Sequence, residues 1–141
     1  MGKILCATRG GEASHRTQDA VIALAQEQGD SIVFLYVLDT DFLGYTERAV
    51  RPDVVATEME HMGEFLLVMA CERAEKQGVK ATFRVKRGQL ADALKETAVE
   101  QDVTLVALGR PAGEESRFQL SGLEKLAADI TEEIGIEARV I

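Results

Sequence analysis

Lys3-Ile-Leu-Cys-Ala-Thr8, halted by Arg9-Gly10-Gly11, and Ser31-Ile-Val-Phe-Leu-Tyr-Val-Leu38 are the two stretches whose reading decides the fold. Neither alternates between apolar and polar residues, the pattern of a strand covered on both faces. Between them Ala13, Thr17, Ala20, Val21, Leu24, Ala25 and Gln28 recur at helical spacing, and Gly29 supplies a stop signal. Strand β1 is therefore predicted over 3–8, helix α1 over 13–28 and strand β2 over 31–38. Two buried strands joined through a helix lie parallel in one sheet.

The same rhythm continues outward. After an irregular connection from Asp39 to Pro52, Val55, Met59, Met62, Leu66, Met69, Ala70, Arg73 and Ala74 trace one stripe of a long helix, α2, closed by Gly78. Its methionines share that stripe with Leu and Val and read as core filler. Val79, Ala81, Phe83 and Val85 alternate with Lys80, Thr82, Arg84 and Lys86, as in a half-exposed edge strand, β3. Leu90, Leu94, Ala98 and Gln101 mark helix α3, and Val103 to Leu108, ending in Gly109, is a further buried strand, β4. A polar stretch from Arg110 to Gln119 leads to helix α4, with Leu123, Leu126, Ala127, Ile130 and Ile134. Gly135 stops it before the last strand, β5, over Ile136 to Ile141. The expected fold is α/β, a three-layer sandwich: a five-stranded, mostly parallel sheet in the order 3-2-1-4-5 with helices on both faces.

Composition agrees. The chain of 141 residues suits one domain spanning 1–141, and its 46% hydrophobic content with two prolines can fill one core. The apolar runs Ser31 to Leu38 and Phe65 to Cys71 fall far short of the roughly 20 residues of a membrane helix. Arg9 interrupts the early apolar run that a secretory signal would need. Cys6 and Cys71 lack paired spacing and read as reduced core thiols, so a cytoplasmic location is expected. A net charge of −8 without a basic run speaks against nucleic acid or anionic membrane as partners.

In a sheet of this order the topological switch point falls between β1 and β4, and a ligand is expected over their carboxyl ends. Two segments meet there: Thr8-Arg9-Gly10-Gly11, and Gly109-Arg110-Pro111-Ala112-Gly113 through Ser121-Gly122-Leu123. Glycines let a backbone approach a ligand, and the start of α4 offers amide N–H groups to an anion. Arg9, Arg110 and Arg117 could surround one anionic group; the plainer reading pairs them in solvent with Glu12, Glu114 or Glu115. His15 and His61, the two histidines, fall within helices beside no nucleophile motif, and no HExxH, CxxC, GxSxG or phosphate-loop motif occurs. A phosphoacceptor receiver of the same strand order would need acidic residues where Arg9 stands.

Along essentially the whole chain the order of elements resembles the universal stress protein family. Lys3-Ile-Leu-Cys-Ala-Thr8-Arg9-Gly10-Gly11-Glu12-Ala13-Ser14 is similar to the family's opening strand, turn and helix. Tyr36-Val37-Leu38-Asp39, Val85-Lys86-Arg87-Gly88 and Leu105-Val106-Ala107-Leu108-Gly109 resemble its later strand ends, which places Val37 among the candidate binding residues. Members that bind ATP carry a three-glycine motif ending in Gly and a hydroxyl residue. Here Gly109 and Gly122 keep the family's outer spacing, Gly113 is displaced by one residue, Leu123 replaces the hydroxyl with Ser121 beside it, and Arg9 stands where an acidic residue is expected. The resemblance thus implies a non-catalytic stress-response or signalling protein with a degenerate ATP motif, taking a nucleotide or another small anion, or no ligand at all. It also implies a homodimer formed through the final strand, to which Ile136, Ala138 and Val140 would supply an apolar edge. The alternative is a nucleotide-handling enzyme of the same α/β group that hydrolyses or transfers phosphate or adenylate.

Overall fold

The computed structural model describes residues 2–8, 11–38, 52–109 and 120–141. They form β1 (Lys3–Ala7), α1 (Gly11–Gln28), β2 (Ser31–Leu38), α2 (Pro52–Lys76), β3 (Ala81–Arg87), α3 (Leu90–Glu100), β4 (Leu105–Leu108), α4 (Leu120–Ile134) and β5 (Glu137–Val140). The strands lie in the order β3-β2-β1-β4-β5, as expected, and every pairing is parallel.

Period-two alternation splits β1, β2 and β4 between two cores. Ile4, Cys6, Ile32, Phe34, Leu105 and Ala107 face Val21, Ile22 and Ala25 of α1 and Leu67, Ala70 and Ala74 of α2. Leu5, Val33, Leu35, Val106 and Leu108 face Leu94 and Ala98 of α3 and Ala127 and Ile130 of α4. Helices on both faces explain why β1, β2 and β4 read as continuous apolar runs. Burying one such Leu, Ile or Phe contributes about 1.5–3 kcal/mol. No helix among the described residues is long and apolar enough to cross a membrane.

Helix ends follow the local chemistry. Gly29 and Gly78 adopt φ of 74° and 77°, and the next N–H returns to a carbonyl inside the helix: Asp30 to Ala25 at 2.9 Å and Val79 to Ala74 at 3.0 Å. Asp102 does the same for α3 at φ 56°, with Val103 N–H on the Ala98 carbonyl at 3.1 Å. These caps explain two differences from the expected boundaries. Val79 and Val103 close helices, so β3 begins at Ala81 and β4 at Leu105.

The stripe assigned to α2 needs correction. Its inner face is Gly63, Leu67, Ala70, Cys71 and Ala74, all buried, with Gly63 seated against the ring of Tyr36. Met59 and Leu66 are half-buried at the margin, while Met62 and Met69 point outward and are exposed. Phe65 to Cys71 is apolar on every side of the helix, so periodicity alone left its rotation open. The glycine, which alone permits contact with Tyr36, sets it.

Candidate functional site

β1 and β4 carry the switch point to Thr8 and Gly109. The register Cys6↔Ala107, continued two residues along parallel strands, sets Thr8 beside Gly109. Thr8 N–H donates to the Leu35 carbonyl at 2.8 Å, prolonging the β1–β2 ladder past the strand end.

Behind this edge runs a polar relay. Thr8 and Gln18 are each only 3% exposed, and Gln18 Nε2 donates to Thr8 Oγ1 at 2.6 Å. Gln18 Oε1 in turn accepts from Arg73 Nη1 at 2.6 Å, and Arg73 Nη2 reaches Asp19. The relay ties the end of β1 to α1 and α2. With its oxygen accepting from Gln18, the Thr8 hydroxyl still has its own proton to donate, which suits an anion or a carbonyl. The Arg73–Asp19 pair is largely solvated, and such pairs contribute little.

Gly109 and Gly122 differ sharply. A Cβ on Gly109 would lie 2.5 Å from Thr17 Oγ1 and 3.2 Å from Thr17 Cβ, so α1 can pack at this distance only because residue 109 has no side chain. Gly122, in the first turn of α4, is exposed, and among the described residues a Cβ there would meet nothing within 4 Å. The first-turn amides of α4 have no partner within the helix, and that turn carries no acidic residue to occupy them.

The remaining candidates divide three ways. Val37 is half-buried among the apolar residues on the α3 and α4 side, in register with Lys86 of β3. Leu123 is buried, 5% exposed, so its side chain fills the interior and does not occupy the place of a ligand-facing hydroxyl. Ile136, Ala138 and Val140 are half-buried against the α3 and α4 core, so the free edge of β5 is its backbone and not a row of apolar side chains. Arg9, Gly10, Arg110, Gly113 and Arg117 lie outside the described residues, as does the side chain of Ser121.

Sequence reading missed Gln18 and the role of Arg73. A signal was present for the first: Gln18 precedes Ile22 by four residues and Ala25 by seven, which puts it on the buried stripe of α1. His15 and His61 are exposed. Cys6 is fully buried, and burial pushes its thiol up to about 12. Among the described residues no group of three His, Cys, Asp or Glu side chains could hold a metal ion.

The fold and its strand ends define a doubly wound α/β protein with a single switch point. The chain belongs to the universal stress protein family, whose model matches residues 1–132. Among solved structures it is similar to a universal stress family protein from Burkholderia pseudomallei, at 20% identity over 99% of this chain and 95% of that one, with a TM-score of 0.75. A universal stress protein solved in complex with cAMP is 16% identical over 99% of this chain and 95% of that one, with a TM-score of 0.63. A family member from Arabidopsis thaliana with AMP bound is 14% identical over 100% and 91%, with a TM-score of 0.67. At these identities the likeness is one of fold. No curated protein sequence matches the chain.

Proposed function

We propose that this single-domain, cytoplasmic member of its family is a non-catalytic signalling protein. In this reading it binds a small anion, such as the phosphate of a nucleotide, at the β1/β4 switch point and works as a homodimer joined through β5. The observation that carries the ligand reading is Gly122. A glycine inside a helix costs about 1 kcal/mol relative to alanine, and no packing among the described residues requires one at this position. Close approach of a ligand to the α4 amides is the reason we assign to it, and Thr8 offers a hydroxyl proton across the switch point. Arg9, Arg110 and Arg117, which follow β1 and β4 in the chain, would supply charge. Two relatives were solved with cyclic AMP and AMP, which favours an adenine nucleotide. Arg9, standing where an acidic residue is expected, and the displaced Gly113 argue against tight ATP binding.

Calorimetric titration with AMP, cyclic AMP, MgATP and inorganic phosphate tests the reading. AMP or phosphate should bind, with MgATP weaker than about 1 μM. Gly122→Ala should raise the dissociation constant at least about tenfold while stabilising the fold by about 0.5–1 kcal/mol. Absence of binding by all four ligands, or identical binding by Gly122→Ala, overturns the site.

A further inference from the structure

On the outward side of α2, Glu58, Met62, Phe65, Met69, Glu72 and Lys76 follow one another at gaps alternating between four and three residues. That is the seven-residue rhythm along which two helices mesh. All six side chains are exposed, Met62 by 62% and Phe65 by 64%, and the exposed Val68 widens the patch. Single apolar residues on a surface need no explanation, but four on one helix face form a contiguous patch of the kind that marks an interface.

We infer that a second copy of this chain covers the patch, with α2 lying antiparallel against α2. A two-fold axis level with Leu67 sets Glu58 opposite the second copy's Lys76 and Phe65 opposite its Met69, and symmetry repeats both contacts. Opposite charges then close each end of the seam, and aromatic rings meet thioethers in its middle, a favourable contact. The stripe carries a carboxylate at its amino end and an ammonium at its carboxyl end, so its ends and centre complement its own reversal, while Met62 falls opposite the second copy's Glu72, whose carboxylate lies at the solvated margin. This favours a second copy over an unrelated protein. Glu58 and Glu72 within the stripe, with a net charge of −8, disfavour an anionic membrane. The surface is separate from β5: α2 packs on β2 and β3, at the other end of the sheet. Use of both surfaces would link dimers into larger assemblies.

Sedimentation equilibrium of the full chain, with circular dichroism to verify folding, tests the pairing. Phe65→Glu, at an exposed position, should raise the dissociation constant of the α2 contact at least about tenfold. Glu58→Lys and Lys76→Glu should each weaken it about fivefold, because each sets like charges together twice. The double reversal Glu58→Lys with Lys76→Glu should restore wild-type association to within about twofold. Association untouched by Phe65→Glu, or lost only when the β5 edge is blocked by Ala138→Pro, overturns the proposal. So does a double reversal no better than either single one.

Discussion

Thr17 Oγ1 occupies the space into which a side chain at Gly109 would project, 2.5 Å from where its Cβ would stand. Thr17 is 7% exposed and has little room to turn away. Gly109→Ala should therefore destabilise the fold by about 1–3 kcal/mol, the usual cost of overpacking. In a Thr17→Ala background the added penalty should shrink, since the crowded atoms are gone. Urea unfolding of the four proteins of this cycle measures the coupling. An additive result would mean that Gly109 is not held by Thr17.

Gln18 links two groups that do not otherwise meet. Gln18→Leu leaves the buried Thr8 hydroxyl and one Arg73 donor without the partners they have in the relay. A loss of about 1–3 kcal/mol is expected in urea unfolding. Adding Thr8→Val should recover part of it, because removing both members of a buried pair is less costly than removing one. Failure of the second substitution to recover stability would show that the cost lies in packing and not in the hydrogen bond.

The β5 edge can be tested through its backbone. Ile141 N–H donates to the Leu108 carbonyl at 2.7 Å, so alternation along the strand turns the N–H groups of Ala138 and Val140 away from β4. Ala138→Pro removes an outward donor and no bond within the sheet. If dimers form through this edge, light scattering should show a lower mass for the variant, with circular dichroism unchanged. A Lys at Val140 would be less informative, since that side chain packs in the core and its loss would disturb folding as well.

Cys6 and Cys71 should behave as inert thiols. Burial raises the first to about 12, and burial with the neighbouring Glu75 carboxylate raises the second to about 11, both from an ordinary value of 9.0. At pH 8 a disulfide-exchange reagent should leave both unmodified in the folded chain and modify both in urea. Stability follows the same sign. The folded state holds its thiol protons more tightly than the unfolded state, so their contribution is complete below about pH 9. It is lost as the pH rises from there through the folded values. A fast-reacting thiol in the native protein would contradict the burial of these side chains.

Part of the site was legible from residues alone. Thr8 and Gly109 announced themselves because a run of buried-strand residues stops at each, and parallel topology puts both stops at one end of the sheet. What Gly109 does there was not legible. A glycine that admits a ligand and a glycine that admits a threonine look alike in sequence, and only the approach of α1 separates them. Leu123 read as a substituted ligand contact for the same reason, until its burial showed that it fills the core.

Whatever depends on neighbours in the chain was written in the sequence. Strand runs, helix ends at Gly29, Gly78 and Gly135, the alternation of β3 and the handedness of the crossovers are local or chiral effects, and together they set the sheet order. The rotation of α2, the burial of Gln18 and the reach of Arg73 to α1 depend on residues far apart in the chain. They were decided when Gly63 met Tyr36 and Gly109 met Thr17, because close packing between elements admits one placement where local periodicity admits several.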